Sequence, residues 1–307
     1  MSLNTILGAI ELGLLFSIMS FGIYITFKVL DFPDLTVDGS FTAGAVTSAV
    51  LSIAGHPYLA ILAGTLVSCF AGMVTGFLHT KMKVNYILAG ILTMTGLYSI
   101  NLKIAGGTPN LSLFNVSTIF TEFHELLTSI GLPSQVLERS NLILLLLIVI
   151  ACMLVLNLFF KTQMGLALRA TGNNEEMVRA SSINTDAMKI TGLALANAFV
   201  GLCAAIYTQH QTFYDISQGI GMMVVALTSI IIGETVFGKR TVLNSLVSIV
   251  LGAMIYRLLL SFALAQGMDP NDWKLLCASL VAIVISIPTI KLFIEKRRKR
   301  ARRYGGK

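Results

Sequence analysis

Charged residues are scarce in this sequence. Asp, Glu, Lys and Arg make up 12% of its 307 residues, whereas a soluble globular domain has about 25%. Hydrophobic residues account for 55%, and the mean hydropathy is +0.81. This composition excludes a soluble globular protein of this size and predicts an integral membrane protein.

Cysteine and histidine are also few, and neither is spaced for chemistry. The four cysteines lie inside apolar runs at unrelated spacings, which is typical of buried free cysteine rather than of a disulfide framework or a metal site. The four histidines are scattered, without Cys, Asp or Glu at metal-ligand spacing. The sequence also lacks a nucleophile elbow and a paired-carboxylate pattern. We therefore predict neither an enzyme nor a metal centre.

A complete phosphate-binding loop is absent as well. Residues 233–239 read GETVFGK and satisfy G-x-x-x-x-G-K, but Arg240 follows where a Ser or Thr hydroxyl would hold magnesium. The segment also closes a predicted spanning helix. We expect the chain to bind no ATP and no other cofactor itself.

A cleavable signal peptide is not expected either, because the first basic residue is Lys28 and such a peptide begins with a charged region.

Long apolar runs are abundant. A transmembrane helix needs about 20 apolar residues, and eight segments are long enough: 7–27, 58–78, 86–104, 142–160, 190–208, 220–237, 242–264 and 275–293. A ninth segment, 41–54, is shorter, and we expect a buried or discontinuous helix there. The predicted fold class is all-α, a polytopic membrane protein with about nine transmembrane helices and a range of about eight to ten.

The distribution of basic residues predicts the orientation in the membrane. Lys and Arg accumulate in short cytoplasmic loops. With the C-terminus inside, all of the 22 basic residues except Lys103, Arg139, Arg257 and Lys274 lie on the cytoplasmic side. The N-terminus is then outside. The basic tail, residues 294–307, is expected to lie against anionic lipid headgroups rather than to bind nucleic acid.

Residues 165–189 form a polar, charged loop between two long apolar runs. Within it, Asn173 followed by Glu176 is a variant of the capping box that starts a helix. A short helix is therefore predicted to begin at Asn174. Gly172, directly before the cap, is expected to allow a sharp turn.

One face of this short helix is apolar. The residues Met177, Ala180 and Ile183 follow helical spacing and are called here the apolar stripe. On the opposite face, Glu175 and Arg179 are four residues apart, in the order that favours an ion pair. The pattern indicates a surface where a membrane protein meets a soluble partner. The alternative is a helix that rests on the bilayer, which its weakly basic polar face disfavours.

The loop resembles the cytoplasmic coupling loop of the permease subunits of bacterial ABC importers of the branched-chain amino acid and ribose type. The shared features are a spanning helix, then GLALRATGNN, a short capped helix ending near Ser-Ile-Asn, and a further helix from Ile190. Segments 191–207 and 220–238 are similar to the next two helices of that family. Where family members carry a paired glycine, this chain has Gly233 and Glu234.

The resemblance implies a type II-like ABC importer permease bundle, in which residues 1–307 form a single transmembrane domain. A separate ATPase subunit would bind the ATP and receive the coupling loop, a substrate-binding (lipo)protein would deliver the solute from outside, and a permease homodimer would form the pathway. The residues implied in coupling to the ATPase are Arg169, Gly172, Asn173, Glu176, Met177, Ala180 and Ile183.

Two upstream segments, 31–45 and 87–113, resemble a subgroup of these permeases associated with the uptake of aromatic amino acids such as tryptophan and tyrosine. The resemblance therefore implies an amino acid substrate and favours an aromatic one. The alternatives are a sugar or nucleoside importer permease of the same family and, from another class, a stand-alone secondary transporter or channel. The latter would use Glu11 and Glu234 as intramembrane carboxylates.

Polar residues inside the spans are candidates for the substrate pathway, because they cost free energy unless they face a cavity or a partner. Each of them could instead pack between helices. The residues of the second and fourth spans that we select are Ser40, Thr42, Thr93, Thr95 and Asn101. Glu11 and Arg257 are expected at similar depth and are predicted to pair. The alternative is that Arg257 meets the carboxylate of an amino acid substrate.

Overall fold

The computed structural model describes residues 3–131 and 133–266 and the single positions 275, 279 and 282. Its helices are α1 Leu3–Ile23, continued by a π-helical segment Tyr24–Val29, α2 Thr36–Ile53, α3 Pro57–Thr80, α4 Tyr86–Ile104, α5 Ile119–Ser129, α6 Ser134–Leu137, α7 Ser140–Phe159, α8 Gln163–Asn173, α9 Glu175–Ala180, α10 Thr185–Gln211, α11 Met222–Phe237 and α12 Val242–Ala265. Two short strands are β1 Asn110–Ser112 and β2 Phe213–Asp215.

Six of these helical segments are long and apolar enough to cross a membrane: Leu3–Val29, Pro57–Thr80, Tyr86–Ile104, Ser140–Phe159, Thr185–Gln211 and Val242–Ala265. The helix α11 is apolar but shorter. The prediction of an all-α polytopic membrane protein is therefore confirmed. The predicted last span, 275–293, lies outside the described residues except for three single positions, and the basic tail 294–307 lies wholly outside them.

The helix α2 is the centre of the bundle. Most of its residues are buried, and it packs against α3, α4 and α10. Gly44 of α2 lies against Gly64 of α3 and Gly201 of α10, and such small residues let helix backbones approach closely. The prediction of a buried helix here is confirmed, but the helix begins at Thr36 rather than at residue 41. Its first turn is polar and escapes a search for apolar runs.

A buried polar network joins α2 to α10. The side-chain amide of Asn197 donates to Oδ2 of Asp34 at 2.7 Å, and the hydroxyl of Ser40 donates to Oδ1 of Asn197 at 2.5 Å. The hydroxyl of Ser68 in α3 donates to the carbonyl of Ser40 at 2.7 Å. These groups are buried, so each depends on its partner for a hydrogen bond.

The carboxylates inside the bundle are more numerous than the sequence suggested. Besides Glu11 and Glu234, Asp34 lies at the start of α2 with 1% of its surface exposed, and Asp38 lies in the first turn of α2. Glu234 pairs at 2.9 Å with Lys28 of the π-helical segment. The expectation that Glu11 and Glu234 are the intramembrane carboxylates is therefore corrected.

The predicted Glu11–Arg257 pair is also replaced by a different arrangement. Oε2 of Glu11 lies 3.3 Å from Nε2 of His210, in the last turn of α10. The guanidinium of Arg257 instead lies over the ring of Phe16, 4.0 Å from its centre, in cation–π geometry. The helix α1 packs against both α10 and α12, so His210 of α10 and Arg257 of α12 were both possible partners for Glu11. Only the tertiary packing decides which of the two lies next to it.

A two-stranded sheet that the sequence analysis missed lies beyond the C-terminal ends of α4 and α10. The strand β1 pairs with β2 in antiparallel fashion, with Leu111 opposite Tyr214. This pairing ties the segment after α4 to the segment after α10. Strands of three residues have too little alternation to be recognised in a sequence. The amphipathic helix α5 follows β1 and is capped by Thr118, whose hydroxyl accepts from the amide of Thr121.

Candidate functional site

The short helix α9 lies in the loop between the spanning helices α7 and α10. Its N-cap is Asn174, whose side-chain oxygen accepts a hydrogen bond from the amide of Met177 at 3.0 Å. The helix position agrees with the prediction, but the capping residue does not. Asn173 is the last residue of α8, so its backbone is still helical and only the second asparagine can take the extended conformation that a cap needs.

Gly172 does not form the predicted turn. It lies inside α8, where an added Cβ atom would overlap with the carbonyl oxygen of Val29. The glycine is therefore needed for the close approach of α8 to the C-terminal end of the first span, at Val29 and Leu30. A sequence cannot distinguish a glycine that allows a turn from one that allows close packing, because the distinction depends on which helix lies next to the glycine in the folded protein.

Glu175 connects α9 firmly to α10. Its Oε2 lies 2.7 Å from Nζ of Lys189, and its Oε1 lies 2.9 Å from the guanidinium of Arg179, which confirms the predicted pair within α9. The hydroxyl of Thr185 also reaches Oε1, at 3.3 Å. The hydrogen bond from Lys189, followed by the other donors and charges, lowers the pKa of Glu175 although partial burial opposes it.

The apolar stripe faces away from the protein. Met177 is 57% exposed and Ile183 is 36% exposed, and Ala180 between them is exposed as well. Val178, on the other side of α9, is buried and holds the helix against the bundle. An anchored helix with an outward apolar face fits the groove of a partner protein.

The remaining residues of the predicted coupling set do not lie on this stripe. Glu176 is exposed in the first turn of α9, next to the stripe. Asn173 is exposed at the end of α8, and Gly172 packs against Val29. Arg169 lies further back on α8, where it lines a shallow pocket of about 290 Å³ together with Lys161.

A second site is a cavity of about 530 Å³ between α2, α4 and the segment that precedes α11. We call it the α2–α4 cavity. Its lining residues are Asp38, Gly39, Thr42, Met94, Thr95, Tyr98, Asn101, Ile216, Ser217 and Ile220. Its volume is within the range of about 300–1,000 Å³ that is usual for small-molecule sites.

Three of the predicted pathway residues line this cavity, namely Thr42, Thr95 and Asn101. The others lie elsewhere. Ser40 bonds to Asn197, and the hydroxyl of Thr93 accepts from Thr75 at 2.9 Å. Arg257 of α12 lies over the ring of Phe16 of α1 and is not among the residues that line this cavity. The polar residues of the second and fourth spans thus divide into cavity-lining and helix-packing residues.

Asp38 was missed by the sequence analysis and forms one wall of the cavity. Its Oδ2 accepts from the amide of Gly221 at 2.9 Å and its Oδ1 from the amide of Met223 at 3.0 Å. Gly221 is the N-cap of α11 and Met223 is its second residue, so the carboxylate accepts from free amides at the N-terminus of α11, where the helix dipole favours a negative charge. Gly219 makes the contact possible, because an added Cβ there would overlap with the carbonyl oxygen of Asp38.

Comparison with known proteins gives consistent matches. Residues 5–286 match the family model described as branched-chain amino acid transport system / permease component. The chain is 36% identical over 295 residues to the tyrosine transport system permease protein of Clostridioides difficile (strain R20291), which covers 96% of this chain and 95% of that protein.

More distant relatives have other solutes in their names. The ribose import permease protein of Escherichia coli (strain K12) is 26% identical over 226 residues, or 72% of this chain and 66% of that protein. The nucleoside ABC transporter permease protein of Lactococcus lactis subsp. cremoris is 24% identical over 279 residues, or 85% of this chain and 83% of that protein. No solved structure gives a significant match.

Proposed function

This chain belongs to the family described as branched-chain amino acid transport system / permease component, and from that membership we propose that it is the membrane subunit of an ATP-driven importer. It forms the solute pathway and is driven by a separate ATPase subunit, which binds the ATP. The observation that carries the proposal is the exposed apolar stripe, with Met177 and Ala180 on α9 and Ile183 in the turn after it, beyond the end of the helix that was predicted to include it. The Glu175–Lys189 pair holds α9 to a spanning helix.

The coupling follows from this arrangement. A groove on the ATPase subunit receives α9 and buries the apolar stripe. When the ATPase pair closes, α9 moves with it, and the ion pair passes that movement to α10. The helix α10 contacts the central helix α2 through Asn197, Ser40 and Asp34. Movement at the cytoplasmic face thereby reaches the helix that lines the α2–α4 cavity.

The proposal requires a defined orientation. As a multi-pass protein of the bacterial inner membrane, the chain has its N-terminus outside and the loop containing α9 in the cytoplasm, as the basic residues indicate. Lys28, Lys81 and Lys189 belong to the ends of helices on the same side as α9. A substrate-binding protein docks on the opposite side, and two copies of the permease complete the pathway.

The decisive test is Ala180→Arg. This change places a charge in the middle of the apolar stripe, so we expect the permease to insert normally but to lose copurification with its ATPase subunit and to lose uptake. Ser181→Arg, on an exposed neighbouring position outside the stripe, is the matched control and should behave as wild type. Normal uptake and normal ATPase copurification in the Ala180→Arg protein would refute the coupling role.

For the substrate, we propose an amino acid, with aromatic amino acids favoured. The support is the similarity to a protein named as a tyrosine transport permease, which extends over nearly the whole of both chains. The names of the ribose and nucleoside relatives make a sugar or a nucleoside the second candidate. Uptake of radiolabelled tyrosine, leucine, ribose and uridine by cells with the complete importer separates the two, and uptake of ribose or uridine alone would reject the amino acid assignment.

A transporter that works without an ATPase is the alternative from another class. It is tested with the purified permease in liposomes, with and without the ATPase subunit and ATP. We expect uptake to require both. Uptake driven by an ion gradient alone would overturn the proposal.

A further inference from the structure

The α2–α4 cavity contains one fixed negative charge. Among the described residues that line it, Asp38 is the charged one. Each of its oxygens accepts one backbone amide, from Gly221 or from Met223, which fixes the orientation of the carboxylate. An ionised carboxylate has about four acceptor directions, so each oxygen can accept a further hydrogen bond from a group in the cavity.

A second acceptor in the same cavity is without a partner. Asn101 is 1% exposed, and its Nδ2 donates to the carbonyl of Gly39 at 3.3 Å, which fixes the orientation of the amide. Its Oδ1 is buried and makes no hydrogen bond with the described residues. A buried acceptor in this state is unfavourable, and a bound donor would supply the missing hydrogen bond.

The rest of the lining is apolar or neutral. Met94, Ile216 and Ile220 form an apolar wall, and Tyr98 and Ile220 are exposed at the mouth, by 56% and 62% respectively. Among the described lining residues there is no Lys or Arg to meet a carboxylate. The cavity therefore matches a small molecule with a cationic donor group at one end and an apolar or aromatic group at the other.

We infer that the α2–α4 cavity binds the α-ammonium group of an amino acid, with Asp38 as its ion-pair partner and Oδ1 of Asn101 as a second acceptor. The side chain of the amino acid lies against Met94, Tyr98 and Ile220. This inference rests on the proposed function, an importer of amino acids. It also differs from the alternative that the sequence left open, in which Arg257 meets the substrate carboxylate, because the charged residue among the described lining residues is Asp38.

The test measures binding to the purified permease–ATPase complex without the substrate-binding protein, so that the selectivity of that protein does not interfere. The probes are L-tyrosine, tyramine, which keeps the amine and lacks the carboxylate, and 3-(4-hydroxyphenyl)propionate, which keeps the carboxylate and lacks the amine. We expect the first two to bind and the third to bind at least about tenfold more weakly, as for a lost hydrogen bond to a charged group.

Two variants locate the binding. Asp38→Asn retains a capping oxygen for α11 and removes the charge, and it should weaken binding of tyramine about tenfold or more. Its matched control is Asp31→Asn, at an exposed position with a left-handed backbone that asparagine tolerates, and this protein should bind as wild type. Asn101→Leu provides the second variant and should also weaken tyramine binding.

The outcomes separate this inference from the proposed function. If wild type takes up tyrosine with ATP but binds the propionate as well as tyramine, or if Asp38→Asn and Asn101→Leu both bind tyramine normally, the inference is overturned while the importer role stands. If the complex binds ribose or uridine and none of the three aromatic probes, the amino acid proposal itself fails.

Discussion

Lys189 and Glu175 join the short helix α9 to the first part of the spanning helix α10, with Nζ of the lysine 2.7 Å from Oε2 of the glutamate. Lys189 is also the less exposed partner, since 18% of its side chain is accessible compared with 34% for Glu175. The pair therefore lies between the two helices rather than on the outer face of either. In the proposed coupling mechanism, this pair directly connects α9, which docks on the ATPase subunit, to the spanning helix α10.

Lys189→Met should weaken the coupling between ATP hydrolysis and uptake. The change keeps the length of the side chain and removes the charge, at a cost of about 1 kcal/mol for a partly exposed pair. The ratio of docked to undocked α9 then falls roughly fivefold. We expect uptake per ATP hydrolysed to fall in proteoliposomes. Lys161→Met, between α7 and α8, is the control, and an equal loss in both variants would argue against a specific role.

The same pair predicts a dependence on pH. The pKa of Glu175 is lowered from its ordinary value of 4.5, first by the hydrogen bond from Lys189. The ionised carboxylate therefore stabilises the folded arrangement at every pH above that ordinary value, and this stabilisation is lost as the pH falls through the lowered pKa. The protection factors of the α9 amides, which remove the intrinsic pH dependence of hydrogen exchange, should be constant from neutral pH down to about 4.5 and decrease as the pH falls further. In Glu175→Gln this loss of protection in acid should be missing.

Gly172→Ala should destabilise the protein, because the new methyl group meets the backbone of Val29. Overpacking of this kind costs about 1–3 kcal/mol. The matched control is Gly8→Ala in α1, where no atom lies within 4 Å of an added Cβ. A helical Gly→Ala change without a clash stabilises by about 0.5–1 kcal/mol. Thermal unfolding in detergent should move in opposite directions in the two variants, and an unchanged Tm for Gly172→Ala would contradict the packing assigned to α8.

Asn197→Leu should be among the most damaging single changes in the bundle. It removes the amide that donates to Oδ2 of Asp34 and the oxygen that accepts from the hydroxyl of Ser40. A buried polar group left without its partner costs about 1–3 kcal/mol, and this change affects two such groups. Asn157→Leu, on the partly exposed side of α7, makes the same chemical change outside the network. We expect a clear loss of Tm in detergent for the first variant only.

The sequence was sufficient for the features that depend on composition and local spacing. Apolar length predicted most of the spanning helices, and the polar loop with its Glu175–Arg179 spacing predicted a short helix with an ion pair. The family resemblance carried by that loop agrees with the matching family. These features need no knowledge of the neighbours in space, because membrane solvation and helix periodicity act on each segment separately.

Features that arise between distant segments could not be predicted in this way. We predicted that Glu11 pairs with Arg257, but it lies beside His210, because α10 with His210 and α12 with Arg257 both pack against α1. The polar residues of two spans looked equivalent in sequence, yet Thr95 lines a cavity and Ser40 bonds to Asn197. The sheet between β1 and β2 was missed because each strand has three residues.

Composition and periodicity alone determined that this protein crosses a membrane many times and displays a capped helix between two spans. Tertiary structure decided that Asp38 of α2 meets the first amides of α11 and forms one wall of a cavity with Asn101. The physical reason is the range of the forces involved. Burial of apolar segments depends on the segment itself, whereas the partner of a buried polar group depends on which residues, far apart in the chain, are packed within about 3 Å of it.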